Sequence, residues 1–157
     1  MQEHIQNELA SFIANCDWEK IAPHFKEDAA YRVLDWVGCA VAGEHYPQVE
    51  IAQKYFIENG DQGNSTVIGH QIKCSPRTAA FLNGIAGHVC ELDDGHRTAI
   101  GHPGSIAVPT ALALGEHLNA SGADVLKAVI LGYEVFSRLG RTVNPSHLSL
   151  IHISEPT

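Results

Sequence analysis

Apolar residues recur at helical spacing through almost the whole chain, and Gly and Pro interrupt them every few turns. That pattern confines the fold to packed α-helices. Ile5, Leu9, Phe12 and Ile13 follow the i, i+4, i+7, i+8 rule of an amphipathic helix. A second helix is expected over residues 27–41, stopped at Gly43. Its apolar positions Val33, Leu34, Trp36, Val37 and Val41 cover much of its surface, so it reads as deeply buried. Pro47 suits the first turn of a third helix, with Ile51, Ala52, Tyr55 and Phe56 as the inward stripe and Asn59-Gly60 as the stop. Thr66-Val67-Ile68 is too short for more than an isolated extended segment. Ser75-Pro76 reads as N-cap and first helical position of a fourth helix. The small residues of that helix, Ala79, Ala80, Gly84, Ala86 and Gly87, point to close contact with a neighbour, and Gly38-Cys39-Ala40 reads the same way. A fifth helix is expected over 105–118, with Pro109 in its first turn or kinking it. A sixth, over 123–141, has Ser121 or Gly122 near its cap and Asp124 in its first turn. The fold class is therefore all-α, with about six helices.

A chain of 157 residues, 45% hydrophobic and 18% charged, has the composition of one globular domain. A formal charge of −8 argues against nucleic acid or an anionic membrane surface as the main partner, though not against a small anionic substrate. Cys16, Cys39, Cys74 and Cys90 form no C-x-x-C pair, so zinc-knuckle and common iron–sulfur spacings are absent. Cys39 and Cys90 read as small buried hydrophobes. The acidic start is unlike a signal peptide and no apolar run approaches the ~20 residues of a membrane span, so a cytoplasmic protein is expected.

One segment breaks the apolar pattern. Glu91-Leu92-Asp93-Asp94-Gly95-His96-Arg97 places three carboxylates, an imidazole and a guanidinium between two apolar helices, and His102-Pro103-Gly104 follows. Such charge density is costly next to a core unless the groups pair or work. Neighbouring carboxylates push one another's proton affinities apart, which lets an acid and a base coexist. An imidazole can move the proton, and Arg97 could grip a carboxylate in a bidentate fork. The plain alternative is a solvated loop with Asp93 or Asp94 capping a turn and Arg97 in a surface ion pair. A second alternative is a metal site, for which His88, Asp93, Asp94, His96 and His102 are permissible ligands in a weak spacing. His4, His24, His45 and His117 read as surface residues, and Trp18 and Trp36 as packing.

Several blocks in order resemble the MmgE/PrpD family. They are the run from Leu34 to Gly43, Ser65-Thr66-Val67-Ile68-Gly69, Ala79-Ala80-Phe81-Leu82-Asn83-Gly84, the acidic loop with His102-Pro103-Gly104, Gly132-Tyr133-Glu134-Val135 and Asn144-Pro145-Ser146-His147. That family includes 2-methylcitrate dehydratases, cis-aconitate decarboxylases and iminodisuccinate epimerases. The resemblance implies the N-terminal part of a large helical domain, a smaller α+β lid elsewhere in the enzyme, a homodimer, and no metal or other cofactor. It implies a small polycarboxylate substrate and proton abstraction next to a carboxylate. By position, Glu91 matches an acidic residue of the family pocket, Asp93 and Asp94 its paired aspartates, and His102 its loop histidine. These four are the implied catalytic set, with His96 and Arg97 binding substrate carboxylate. Gly95 stands where decarboxylase-like members carry a hydroxyl residue, a departure that weighs against decarboxylation and leaves the substrate open.

After His147 the resemblance stops. Residues 148–157 look like the translation of a sequencing adapter, so the expected organisation is a partial helical domain over 1–147 followed by a non-native tail, without the lid. Such a fragment is expected to be inactive alone. The competing readings are a metal-dependent hydrolase using Asp93, His96 and His102, and a helical interaction domain with no chemistry.

Overall fold

A computed structural model describes residues 4–143 of the chain. The expectations for residues 144–157, Asn144-Pro145-Ser146-His147 and the tail alike, lie outside the described residues.

Six α-helices make up most of the described chain: α1 (Ile5–Ala14), α2 (Pro23–Gly43), α3 (Pro47–Glu58), α4 (Pro76–His88), α5 (Gly104–Leu118) and α6 (Gly122–Val143), with a 3₁₀ turn at Trp18–Lys20. α4 is the centre: it packs on α2 and α5, and α6 lies across α5 and α2. Small residues let it do so. A Cβ placed on Gly87 would come within 2.5 Å of the Trp36 indole, and one on Gly84 would sit 3.2 Å from the Ser105 carbonyl oxygen. Trp36, Ala40, Val49, Ala86, Val108, Ala111 and Val129 form the main core. Pro109 lies inside α5, fully buried, where its ring leaves the Ser105 carbonyl without the usual amide partner.

Four expectations need correcting. α2 starts at Pro23, ahead of residue 27, because proline fits the first helical position. It is buried on one face only: Ala29, Trp36, Cys39, Ala40 and Gly43 face inward, while Leu34 is 68% exposed and nothing lies within 4 Å of a Cβ on Gly38. The inward face of α3 is Val49, Ala52, Gln53 and Phe56, whereas Ile51 and Tyr55 face out. Finally, the extended segment is not isolated. β1 (Ser65–Val67) pairs antiparallel with β2 (Ile72–Cys74), Ser65 opposite Cys74. Gly69, at φ +79°, makes the reversal between them. Buried Asn83 clasps this hairpin to α4, its Oδ1 accepting from the Ile68 amide at 2.9 Å and its Nδ2 donating to the Thr66 carbonyl at 2.9 Å. Among the described residues no helix is long and apolar enough to cross a membrane.

Candidate active site

The segment between α4 and α5 turns back on itself at both ends. Glu91 (φ 53°) and Ile100 (φ 49°) are both in the left-handed region. That region is costly for a β-branched residue such as Ile100. Hydrogen bonds hold the tip shut: the His96 amide donates to the Gly101 carbonyl and the Ile100 amide to the His96 carbonyl, each at 2.8 Å. The His96 Nδ1 accepts from the Ala99 amide at 3.1 Å. A neutral His96 therefore carries its proton on Nε2.

Asp93 is the hub of one cluster. Its side chain is fully buried. Oδ1 lies 3.0 Å from the Nδ1 of His88, the last residue of α4. Oδ2 accepts from the Ser105 hydroxyl at 2.6 Å, and Ser105 in turn accepts from the Trp36 indole at 3.2 Å. The His102 Nδ1 is also buried, 3.3 Å from the same Oδ2 but off the line of a good hydrogen bond. The rest of the His102 ring reaches the surface, since its side chain is 35% exposed. With the carboxylate facing Nδ1, the proton belongs there and the Nε2 lone pair is left for chemistry. The two imidazoles meet edge to face at 4.6 Å between centroids, and Glu91 Oε1 is 3.7 Å from the His88 Nε2.

Asp94 belongs to a different network. Its Oδ1 accepts from the Gly104 amide at 3.1 Å, which places a negative charge at the N-terminus of α5. Its Oδ2 pairs with Arg32 of α2 at 2.9 Å, and Arg32 also binds Asp28 at 2.7 Å. The Asp28 hydrogen bond, working against partial burial, holds the Arg32 guanidinium even more firmly protonated than usual. Arg32 stacks 5.1 Å from the Tyr133 ring. Burial, reinforced by the charge of Asp94, pushes the Tyr133 phenol well above its ordinary range. Arg32, Asp94, His96 and Tyr133 line a cleft of about 410 Å³. A larger cavity, about 590 Å³, lies between the hairpin, α5 and α6. Among the described residues its one ionisable lining residue, Glu116, is already bonded to Thr66 and Lys73, so it offers little chemistry.

The structure thus gathers Glu91, Asp93 and His102 on one cluster and puts Asp94 and His96 on the neighbouring cleft. Arg97 is exposed and, among the described residues, lines neither. Sequence reasoning noticed His88 only as a permissible metal ligand and missed Arg32, Ser105 and Tyr133. His88 lies five residues before Asp93, a nearby signal that could have been used, whereas Arg32 comes from 62 residues before Asp94, beyond any local pattern. Among the described residues His88, Asp93 and His102 are the group that could share a cation, their ligand atoms all within 4.8 Å of one another. His96 is not among them, so the trio Asp93, His96 and His102 expected for a metal-dependent hydrolase is not assembled.

The fold and site describe a helical domain with a buried carboxylate–imidazole pair at a helix junction. Residues 7–155 match the MmgE/PrpD N-terminal domain, and the chain belongs to the MmgE/PrpD family. It is 32% identical over 149 residues to the cis-aconitate decarboxylase of Aspergillus terreus, covering 92% of this chain and 30% of that protein. It is 31% identical over 144 residues to a cis-aconitate decarboxylase-like protein of Aspergillus oryzae, covering 87% and 30%. Human cis-aconitate decarboxylase is 36% identical over 112 residues, covering 68% and 23%. The chain spans less than a third of the length of these relatives.

Proposed function

We propose that this chain supplies one wall of the active site of a cofactor-free lyase acting on a small polycarboxylate. The reading rests on one observation: His102 has its Nδ1 turned to the buried Asp93 and the rest of its ring toward the surface. In that geometry Nε2 takes a proton from the carbon next to a substrate carboxylate, and Asp93 stabilises the imidazolium that forms. The electron pair passes into the carboxylate-stabilised carbanion. In a hydro-lyase it then expels a neighbouring hydroxyl, which leaves as water with a proton from an acid such as Glu91. Asp94 holds the scaffold of this site, and His96, on the neighbouring cleft, binds substrate carboxylate. Arg97, exposed and, among the described residues, lining neither the cluster nor the cleft, drops out of the substrate-binding set.

Decarboxylation is the second reading, favoured by the named activity of the relatives. There the bond to the leaving carboxylate breaks in place of a C–H bond, carbon dioxide departs and leaves the electron pair on carbon, and a site acid such as Glu91 donates a proton to that carbon. The exposed apolar residues Tyr31, Leu34 and Val41 of α2 and Ile106, Leu114 and Leu118 of α5 support a larger assembly, a homodimer of full-length chains. The 157-residue chain alone is expected to be inactive.

The test uses the protein at the full length its gene encodes, assayed with cis-aconitate, citrate and 2-methylcitrate. Carbon dioxide release reports decarboxylation, and the ultraviolet absorbance of the unsaturated acid reports dehydration. His102→Ala should cut turnover by about 10²-fold or more, as for a lost general acid or base. Unchanged turnover removes His102 from the mechanism.

A further inference from the structure

Asp93 can serve His102 only if its carboxylate keeps one orientation, and the structure shows two separate anchors for it. One is the Ser105 hydroxyl on Oδ2, itself held by Trp36 in the core. The other is His88 on Oδ1, the one hydrogen bond that oxygen makes among the described residues. The two anchors differ in what they compete for. Ser105 occupies the same oxygen that faces His102, so it cannot by itself stop the carboxylate from rotating about that bond. His88 fixes the far oxygen and so sets the rotation. It is also firmly placed: it ends α4, one residue after Gly87 packs on Trp36, whereas Asp93 and His102 lie on the connector.

We propose that His88 is a positioning residue for the reaction, holding Asp93 so that Oδ2 meets the His102 Nδ1 and fixes that ring's tautomer. The inference rests on the reading of His102 given above and adds a residue to it. His88 also contacts the His102 ring edge to face, so it limits the tilt of the imidazole as well as its tautomer. Its own Nδ1 donates to Asp93, and an asparagine at this position can place an amide N–H near the same point, while alanine cannot.

The experiment is steady-state kinetics of the full-length enzyme with His102→Ala, His88→Ala and His88→Asn. In parallel, nitrogen NMR of ¹⁵N-histidine-labelled protein reads the His102 tautomer. His88→Ala should lower kcat by about tenfold or more, a part of the ~10²-fold expected for losing the base outright, with KM within about twofold. His88→Asn should recover most of kcat. In the alanine variant the His102 signals should move from a pure Nδ1–H tautomer toward a mixture, and in the asparagine variant they should not. Should His88→Ala not fold, the asparagine variant and the NMR readout of the parent protein still decide: a His102 that carries its proton on Nε2 overturns the proposal. If His102→Ala abolishes turnover and His88→Ala leaves kcat and the tautomer unchanged, the positioning role is wrong while the reading of the site stands. If His102→Ala is silent, both fall. Loss of a stoichiometric metal ion on substituting His88 would replace this role with that of a ligand and overturn it too.

Discussion

Asp93 and Asp94 are adjacent and chemically identical, and both bond to the first turn of α5, yet they hold different company. Asp93 is fully enclosed and faces two imidazoles and a hydroxyl. Asp94 is partly open and faces a guanidinium and a helix N-terminus. The Asp94 partners are a fixed cation and a fixed dipole, which keep a carboxylate charged and hold two helices together. The Asp93 partners are themselves proton carriers, and a carboxylate among imidazoles governs where protons sit. Position in the sequence therefore says little about role. Under the function proposed above, the set of partners that the helices bring up makes Asp93 the carboxylate that takes part in chemistry and Asp94 a strut.

The sharpest test of that contrast is a pair of substitutions measured for both activity and stability. In the full-length enzyme Asp93→Asn should reduce kcat by about 10²-fold or more, because the amide no longer stabilises an imidazolium at His102. Asp94→Ala should act mainly on stability. It leaves Arg32 with Asp28 alone and uncaps the Gly104 amide, a loss of about 2 kcal/mol from the cap and the broken ion pair together. Kinetics and denaturant melts on the same preparations would settle the matter. Two variants with the same balance of kinetic and stability effects would erase the distinction between the two carboxylates.

Most of the helical frame was legible in the sequence because helix periodicity and Pro or Gly punctuation are local signals. Ser75-Pro76 began α4 as expected, and Ser121 caps α6 with its hydroxyl accepting from the Asp124 amide at 3.2 Å. Which side of α2 and α3 faces inward was not legible. Both helices carry apolar residues on more than one face, so Leu34 looks as inward as Trp36, and Ile51 and Tyr55 read as inward while Val49 and Gln53 are passed over. The hairpin escaped because its second strand is three residues with an exposed lysine in the middle, too short to alternate visibly. At the site, the connector announced itself through charge density. The division of labour within it did not, since it depends on Arg32, Tyr133 and Ser105, which reach the aspartates from other helices.

Gly104 offers a way to disturb the Asp94 side with a single methyl group. A Cβ there would stand 2.5 Å from Asp94 Oδ1, 2.9 Å from the Tyr133 hydroxyl and 3.3 Å from the Trp36 ring. No neighbour in that list is the far end of a flexible chain, because each is already pinned by its own packing or bonds. Gly104→Ala should therefore cost about 1–2 kcal/mol of stability, as overpacking does, and lower kcat by less than Asp93→Asn. Thermal melts with kinetics check it. A stability within error of the parent would mean that the strut yields easily and that Asp94 does not hold the N-terminus of α5 firmly.

The smallest expected effect is at Tyr133, and it probes how tightly the strut is built. The hydroxyl is buried beside Asp94 and Arg32 without a hydrogen bond of good geometry. Removing a buried hydroxyl whose contacts with Asp94 and Arg32 are poorly aligned costs little and relieves part of a desolvation penalty, so Tyr133→Phe should change stability at neutral pH by no more than about 0.5 kcal/mol. The pH dependence carries the sharper sign. Burial first, and the charge of Asp94 second, raise the phenol's pKa in the folded protein above its ordinary value of 10.0. A group with a raised folded pKa contributes stability that is complete below the unfolded value and is lost as pH rises through the folded one. Above about pH 10 the parent should therefore lose stability more steeply than Tyr133→Phe, in denaturant melts run at matched ionic strength. Parallel alkaline curves would show that Tyr133 ionises as an ordinary surface tyrosine. A loss well above 1 kcal/mol at neutral pH would show instead that the hydroxyl bonds directly to Asp94, which would make the phenol a working part of the strut rather than filler between α2 and α6.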